Sequence, residues 1–67
     1  MATYELKIDE TDGSVFYAGQ ALPGTATSAA GWQIQRITLG ANSIDVVFAD
    51  GNSNFDNIWD NRLGLSY

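Results

Sequence analysis

The sequence predicts a small, mainly β domain: about five antiparallel strands in a barrel-like or sandwich arrangement, with one short C-terminal helix. Three observations carry that expectation. Apolar and polar residues alternate with period two in several runs of strand length. Asp12-Gly13, Pro23-Gly24 and the stretch GANS at 40–43, all turn-forming combinations, punctuate those runs. Near the C-terminus the spacing changes, and Phe55, Ile58, Trp59 and Leu63 recur at three and four residues, as on one helical face. At 67 residues the chain has room for a single core. It divides into an N-terminal hairpin (1–21), a small-residue linker (22–31), and a hairpin, short helix and closing strand (32–67).

Taken in order, Tyr4, Leu6 and Ile8 alternate with Glu5, Lys7 and Asp9, which predicts a half-buried first strand. Asp12-Gly13 turns the chain into a second run, 15–21, where Val15, Phe16 and Tyr17 favour a strand and Gly19 weakens its far end or marks a bulge. The linker, LPGTATSAAG, opens on a pair suited to a type II turn and then offers neither bulk nor charge. A surface crossover outweighs a dedicated docking loop there. In the run 32–39, Trp32 and Ile34 share one face while Ile37 and Leu39 fall on the other. Keeping all four inside requires an extra residue, so a bulge or sharp coil is expected near Gln35-Arg36. Ile44, Val46 and Phe48 alternate beyond the next turn, and this run is expected to pair with 32–39.

Residues 55–62 then suit a two-turn helix. Asn54 would be its N-cap, Asp56 and Arg62 would complement its dipole, and Gly64 would take the left-handed position past its end. Such a helix cannot persist alone in water, so its apolar stripe must pack on the sheet. Leu65 and Tyr67 suit a last edge strand, in this chain or against a neighbour.

Composition narrows function more than it names it. A chain this short buries only about 60% of the surface its unfolded form exposes, and such domains commonly rely on disulfides, metals or partner chains. Cysteine and histidine are both absent, which removes disulfides and the commonest transition-metal ligand. Partner chains are therefore the expected source of extra stability, as a homo-oligomer or a lattice-bound subunit. Eight carboxylates face Lys7, Arg36 and Arg62, for a net charge of −5. That balance repels phosphate backbones and argues against direct nucleic-acid binding. No apolar run approaches the ~20 residues of a membrane span, and MATYELKIDE lacks the basic and apolar regions of a signal peptide. The expectation is a soluble protein made in the cytoplasm.

Candidate chemistry is sparse. Oxygen-bearing Asp50, Asn52, Asn54 and Asp56 recur at every second position, loosely like the first half of a calcium loop. The glycine stands at the second position instead of the sixth, and Asn61 stands where the closing acid belongs, so a turn with an N-cap explains these residues better. Asp56 and Asp60, four apart on the expected helix, suit ion pairing with Arg36 or Arg62 more than catalysis, because a catalytic pair needs two unlike environments and a cleft for substrate, and the sequence supplies neither. Without histidine, cysteine or a lysine outside a strand, nucleophilic and general-base schemes lack a base. No enzymatic activity and no cofactor are expected. Most of the eight aromatic residues must build the core, leaving one or two for an interface or a sugar. Interface candidates are Tyr4, Leu6, Phe16, Tyr17, Leu22, Pro23, Leu65 and Tyr67.

The order and spacing of several short strings are distinctive: PGTATSAA at 23–30, Trp32-Gln33-Ile34 with Arg36-Ile37, ADGN at 49–52, FDNIWD at 55–60, and Arg62. Over residues 17–67 the chain resembles a family of short structural proteins and fibre-associated modules of tailed-bacteriophage virions. The resemblance implies a non-enzymatic virion component, located in the particle and binding other virion proteins of capsid or tail, with no functional residues to carry over. A capsid decoration or cement protein is the leading expectation. The alternatives are a tail, neck or fibre-associated adaptor and, from a different class, a carbohydrate- or receptor-binding module. An exposed tryptophan beside carboxylates in a groove would favour the last; an open apolar face or free strand edge would favour the others.

Overall fold

The computed structural model describes residues 3–67. The chain is mainly β, with five antiparallel strands in one sheet and little helix: β1 (Glu5–Asp12), β2 (Val15–Ala21), β3 (Ala30–Leu39), β4 (Ile44–Phe48) and β5 (Asn57–Ile58). A 3₁₀ turn at Ala49–Gly51 precedes β5, and a 3₁₀ helix at Trp59–Gly64 follows it. The first four strands form a meander in the order β1-β2-β3-β4, and β5 joins β3. β3 carries the sheet: its residues 33–38 pair with β2, 35–39 with β4, and Ala30 and Trp32 with β5.

Both predicted hairpins form where their turn residues stand. At the β3–β4 turn the Gly40 N–H donates to the Ser43 carbonyl at 2.7 Å. At Pro23-Gly24 the Thr25 N–H donates to the Leu22 carbonyl while Gly24 takes φ +86°, the left-handed value that a type II turn places at its third residue. The linker is more than a crossover. The Trp32 indole N–H donates to the Ala26 carbonyl at 2.9 Å, and the Asp60 N–H donates to the Thr27 carbonyl at 3.1 Å, so the linker ties the core tryptophan to the closing helix.

Three expectations need correction. β3 runs in unbroken register past Gln35-Arg36, with no bulge there, so Ile37 and Leu39 remain on the face opposite Trp32 and Ile34. The irregularity in the hairpin lies instead in β1, between Glu10 and Asp12. The helix expected over 55–62 is a 3₁₀ helix that starts at Trp59 and lacks a side-chain cap. Asn57 and Ile58 are spent on β5, because the backbone at Ala30 and Trp32 offers a ladder that a two-turn helix cannot match. Asn54 consequently caps nothing; its N–H donates to Asn52 Oδ1 at 3.0 Å. Asp56 lies outside the helix, so it shares no helical face with Asp60. The fifth strand is β5, and Leu65 and Tyr67 pack on the core without forming a strand.

The core occupies one face of the sheet. Trp32 and Ile34 are its largest fully buried side chains, joined by Tyr17, Ala21, Ala49 and Trp59, with Val15, Leu65 and Tyr67 against them. Trp32 and Trp59 meet with ring centroids 5.8 Å apart. Trp59 lies so close to β2 that a Cβ at Gly19 would fall 2.5 Å from its ring. Gly19 therefore marks a close approach of an indole to the backbone and no bulge. Replacing it forces the ring outward. Gly19→Ala should cost about 1–3 kcal/mol through overpacking, lowering the midpoint of thermal unfolding by several degrees; an unchanged midpoint would contradict this packing.

Arg62 clasps the closing helix to the sheet. Its Nε donates to Asp9 Oδ2 at 2.9 Å, its Nη1 donates to the Trp59 carbonyl at 3.2 Å, and its guanidinium lies 4.7 Å from the Trp59 ring centroid. Its partner is thus Asp9 and neither Asp56 nor Asp60. The Tyr67 hydroxyl donates to the Arg62 carbonyl at 2.8 Å, and the Arg36 guanidinium sits 5.1 Å from the Tyr67 ring centroid. Burial pushes the Tyr67 pKa up to about 12; neighbouring Tyr17 and Asp50 add to the rise, and Arg36 and Arg62 oppose it. The folded chain thus holds this proton above pH 10, where an unfolded tyrosine releases it. The stability contributed by this group is intact below pH 10 and is lost as pH climbs toward 12. Urea midpoints measured across that window should fall more steeply for the wild type than for Tyr67→Phe, which at neutral pH loses about 1 kcal/mol with its hydrogen bond.

Candidate interaction face

In an antiparallel sheet directly paired residues project to the same side, so the registers sort every strand residue onto one of two faces. The inner face carries Lys7, Gly19 and Ile34 in one row and Asp9, Tyr17, Arg36 and Val47 in the next. The closing helix and C-terminal residues cover it. The outer face carries Ile8, Ala18, Gln35 and Phe48 in one row and Glu10, Phe16, Ile37 and Val46 in the next. Leu6 flanks the first row and Leu39 with Ile44 the second. None of the core-cluster residues lies on this outer face; Ala18 at its centre is buried and Phe16, Gln35, Ile37 and Phe48 are half-buried, while the members on the edge strands are open. Leu6 is 56% exposed, Ile8 64%, Val46 52% and Ile44 66%.

The consequence for β1 is an inversion. Its alternation was legible in sequence, but the charged residues Glu5, Lys7 and Asp9 take the partly covered side and Leu6 and Ile8 face outward. Asp9 tolerates the inner side because Arg62 meets it there. One end of the outer face is bounded. The Gln33 amide donates to the Ser53 carbonyl at 2.8 Å, and Tyr4 stacks on Phe55 with centroids 5.2 Å apart and planes at 23°.

Of the sequence-derived interface candidates, Tyr4, Leu6 and Phe16 belong to this face. Leu22 and Pro23 are exposed on the turn after β2. Tyr17 is buried in the core, where its ring meets Tyr67 at 5.6 Å, and Leu65 and Tyr67 are half-buried against that core. These three are occupied within the chain itself. Sequence reasoning did not single out Ile8, Ile37, Leu39, Ile44, Val46 and Phe48 as members of this outward face; for Ile37 and Leu39 it invoked a bulge that would turn them inward. The signal was present in β3: without a bulge, Ile37 and Leu39 had to face away from Trp32.

The calcium candidates lie on the segment between β4 and β5. Asp50, Asn52, Asn54 and Asp56 are all exposed, and Asn52 Oδ1 is taken by the Asn54 N–H. Asp50 has φ +61°, a left-handed value that asparagine and aspartate tolerate in turns. Among the described residues no three acidic side chains converge as a metal site would require. A shallow depression of about 360 Å³, lined by Asp60, Asn61, Leu63, Gly64 and Leu65, holds a single carboxylate and no base or nucleophile beside it. The Arg36 Nε is buried with no hydrogen-bond partner among the described residues, its guanidinium being held by the Tyr67 ring. Among the described residues no helix is long and apolar enough to cross a membrane. Comparison with protein-family models, with curated proteins and with solved structures finds no match.

Because stabilisation by a ligand grows with its occupancy of the folded state, adding millimolar calcium or removing it with chelator should leave the unfolding midpoint unchanged. A rise of several degrees with calcium would restore the 50–56 segment as a metal loop.

Proposed function

We propose that this chain is a non-catalytic virion structural protein that binds other proteins of the particle, as a capsid decoration or cement component. The observation that carries the reading is the uncovered outer face of the sheet. Isolated surface leucines and isoleucines need no explanation, but a contiguous apolar face on a soluble domain marks an interaction surface. A sheet with one face covered by its own helix and the other open is half of a sandwich, and its missing layer comes from outside the chain. The resemblance of residues 17–67 to virion modules supplies the class of particle.

A sugar-binding role needs an exposed flat ring, and neither tryptophan offers one: Trp32 is fully buried and Trp59 nearly so. The exposed rings of Tyr4 and Phe55 are stacked on each other. Mass spectrometry of purified particles made by the genome encoding this chain is expected to recover it in fixed proportion to the major capsid protein. Immunogold labelling should decorate heads. Label confined to tails would replace the decoration role with the adaptor role, and absence of the chain from purified particles would overturn both.

A further inference from the structure

We infer that the layer covering the outer face is a second copy of this chain, so that two sheets pack face to face as one β-sandwich. The first argument is chemical. Between Leu6 and Ile44 the face presents aliphatic and aromatic side chains interrupted by neutral glutamines, with Glu10, on the edge strand, as the one charged member among the described side chains. Glu5, Asp9 and Asp45 project to the opposite face, and Asp50, Asp56 and Asp60 belong to the closing segments. A chain of net charge −5 therefore keeps its repulsion away from this surface. Two copies can meet here without burying a carboxylate row against another. A partner with charged groups would lose their hydration and find no counter-charge.

The second argument is size. Four strands at about 4.8 Å spacing and six residues at about 3.3 Å rise give a face of roughly 19 by 20 Å. Apposing two such faces covers roughly 760 Å² in projection over both copies, at the low end of the size range, where weak and reversible interfaces lie. Layers would sit about 10 Å apart with their strands inclined by about 30°. The Tyr4–Phe55 stack and the Ser53 loop close one end of the face, which fixes how far two copies can slide along each other. A face of this size, apolar on both sides, suits a dimer that dissociates in about the micromolar range.

Sedimentation velocity of the purified full chain from about 1 to 300 μM, a range chosen to bracket micromolar association, should show a monomer–dimer equilibrium. Ile8→Glu, which adds a charge where the monomer is already open, should weaken the dimer at least tenfold. Val46→Lys repeats the test from the other edge strand. Leu63→Glu, on the 3₁₀ helix away from this face, should leave the dimer unchanged. Near-UV circular dichroism of the Trp32–Trp59 pair, buried on the far side of the sheet, verifies that each variant is folded. A monomer across the whole range overturns the inference, as does a dimer indifferent to both face substitutions. The inference shares its surface with the assembly reading, but the two fail separately. A monomer that is nonetheless recovered in particles sinks the dimer alone; a dimer absent from particles sinks the virion role alone.

Discussion

The whole arrangement hangs on one close approach: the Trp59 indole lying on the bare backbone of Gly19. A side chain there would stand 2.5 Å from the ring, so only glycine lets the indole reach the sheet beside Trp32. Once Trp59 is seated, the 3₁₀ helix that it begins must cover the same face, and Leu65 and Tyr67 follow onto that face. The seating of one tryptophan thus decides both what is core and what is left open. A domain this size buries little surface, and this one concentrates it on two tryptophans, Ile34 and the small residues that let them approach.

Charge follows the same asymmetry. Placing Glu5, Lys7 and Asp9 on the covered side of β1 looks unfavourable until Arg62 is considered. Its guanidinium joins Asp9, the Trp59 carbonyl and the Trp59 ring. The ion pair is partly exposed and contributes about 1 kcal/mol or less by itself. Its larger effect is geometric, since it fixes the helix end against the first strand. The linker does the equivalent from the other side through the Ala26 and Thr27 carbonyls. Small residues there admit both donors without displacing bulk.

Much of this was legible in the sequence. Period-two alternation and strand-favouring composition together located four strands, and the turn residues located the hairpins, because these signals are local. The closing segment was misread for a definite reason. The spacing of Phe55, Ile58, Trp59 and Leu63 fits a helix, but tertiary pairing with the start of β3 outcompeted it at Asn57 and Ile58. Arg62's partner was equally out of reach, since Asp9 lies 53 residues away in sequence. The open face was invisible because alternation reports which residues share a side and never which side is covered. The β3 pattern held the clue. Postulating a bulge to hide Ile37 and Leu39 removed the conflict that identified the second apolar surface.

The irregularity between Glu10 and Asp12 bears on the difference between finite and endless growth. A small sheet with an apolar face has two ways to associate: across faces, which closes after one partner, or along edges, which can repeat without limit and leads to fibres. Bulges twist an edge strand, and charges along it discourage another strand from docking. β1 has both, its bulge lying beyond Glu5, Lys7 and Asp9, while β4 at the other edge is only five residues long. In the dimer we propose, the strand that presents Leu6 and Ile8 to the second copy's face withholds its backbone from that copy's edge. Such a division favours a counted assembly over a precipitate.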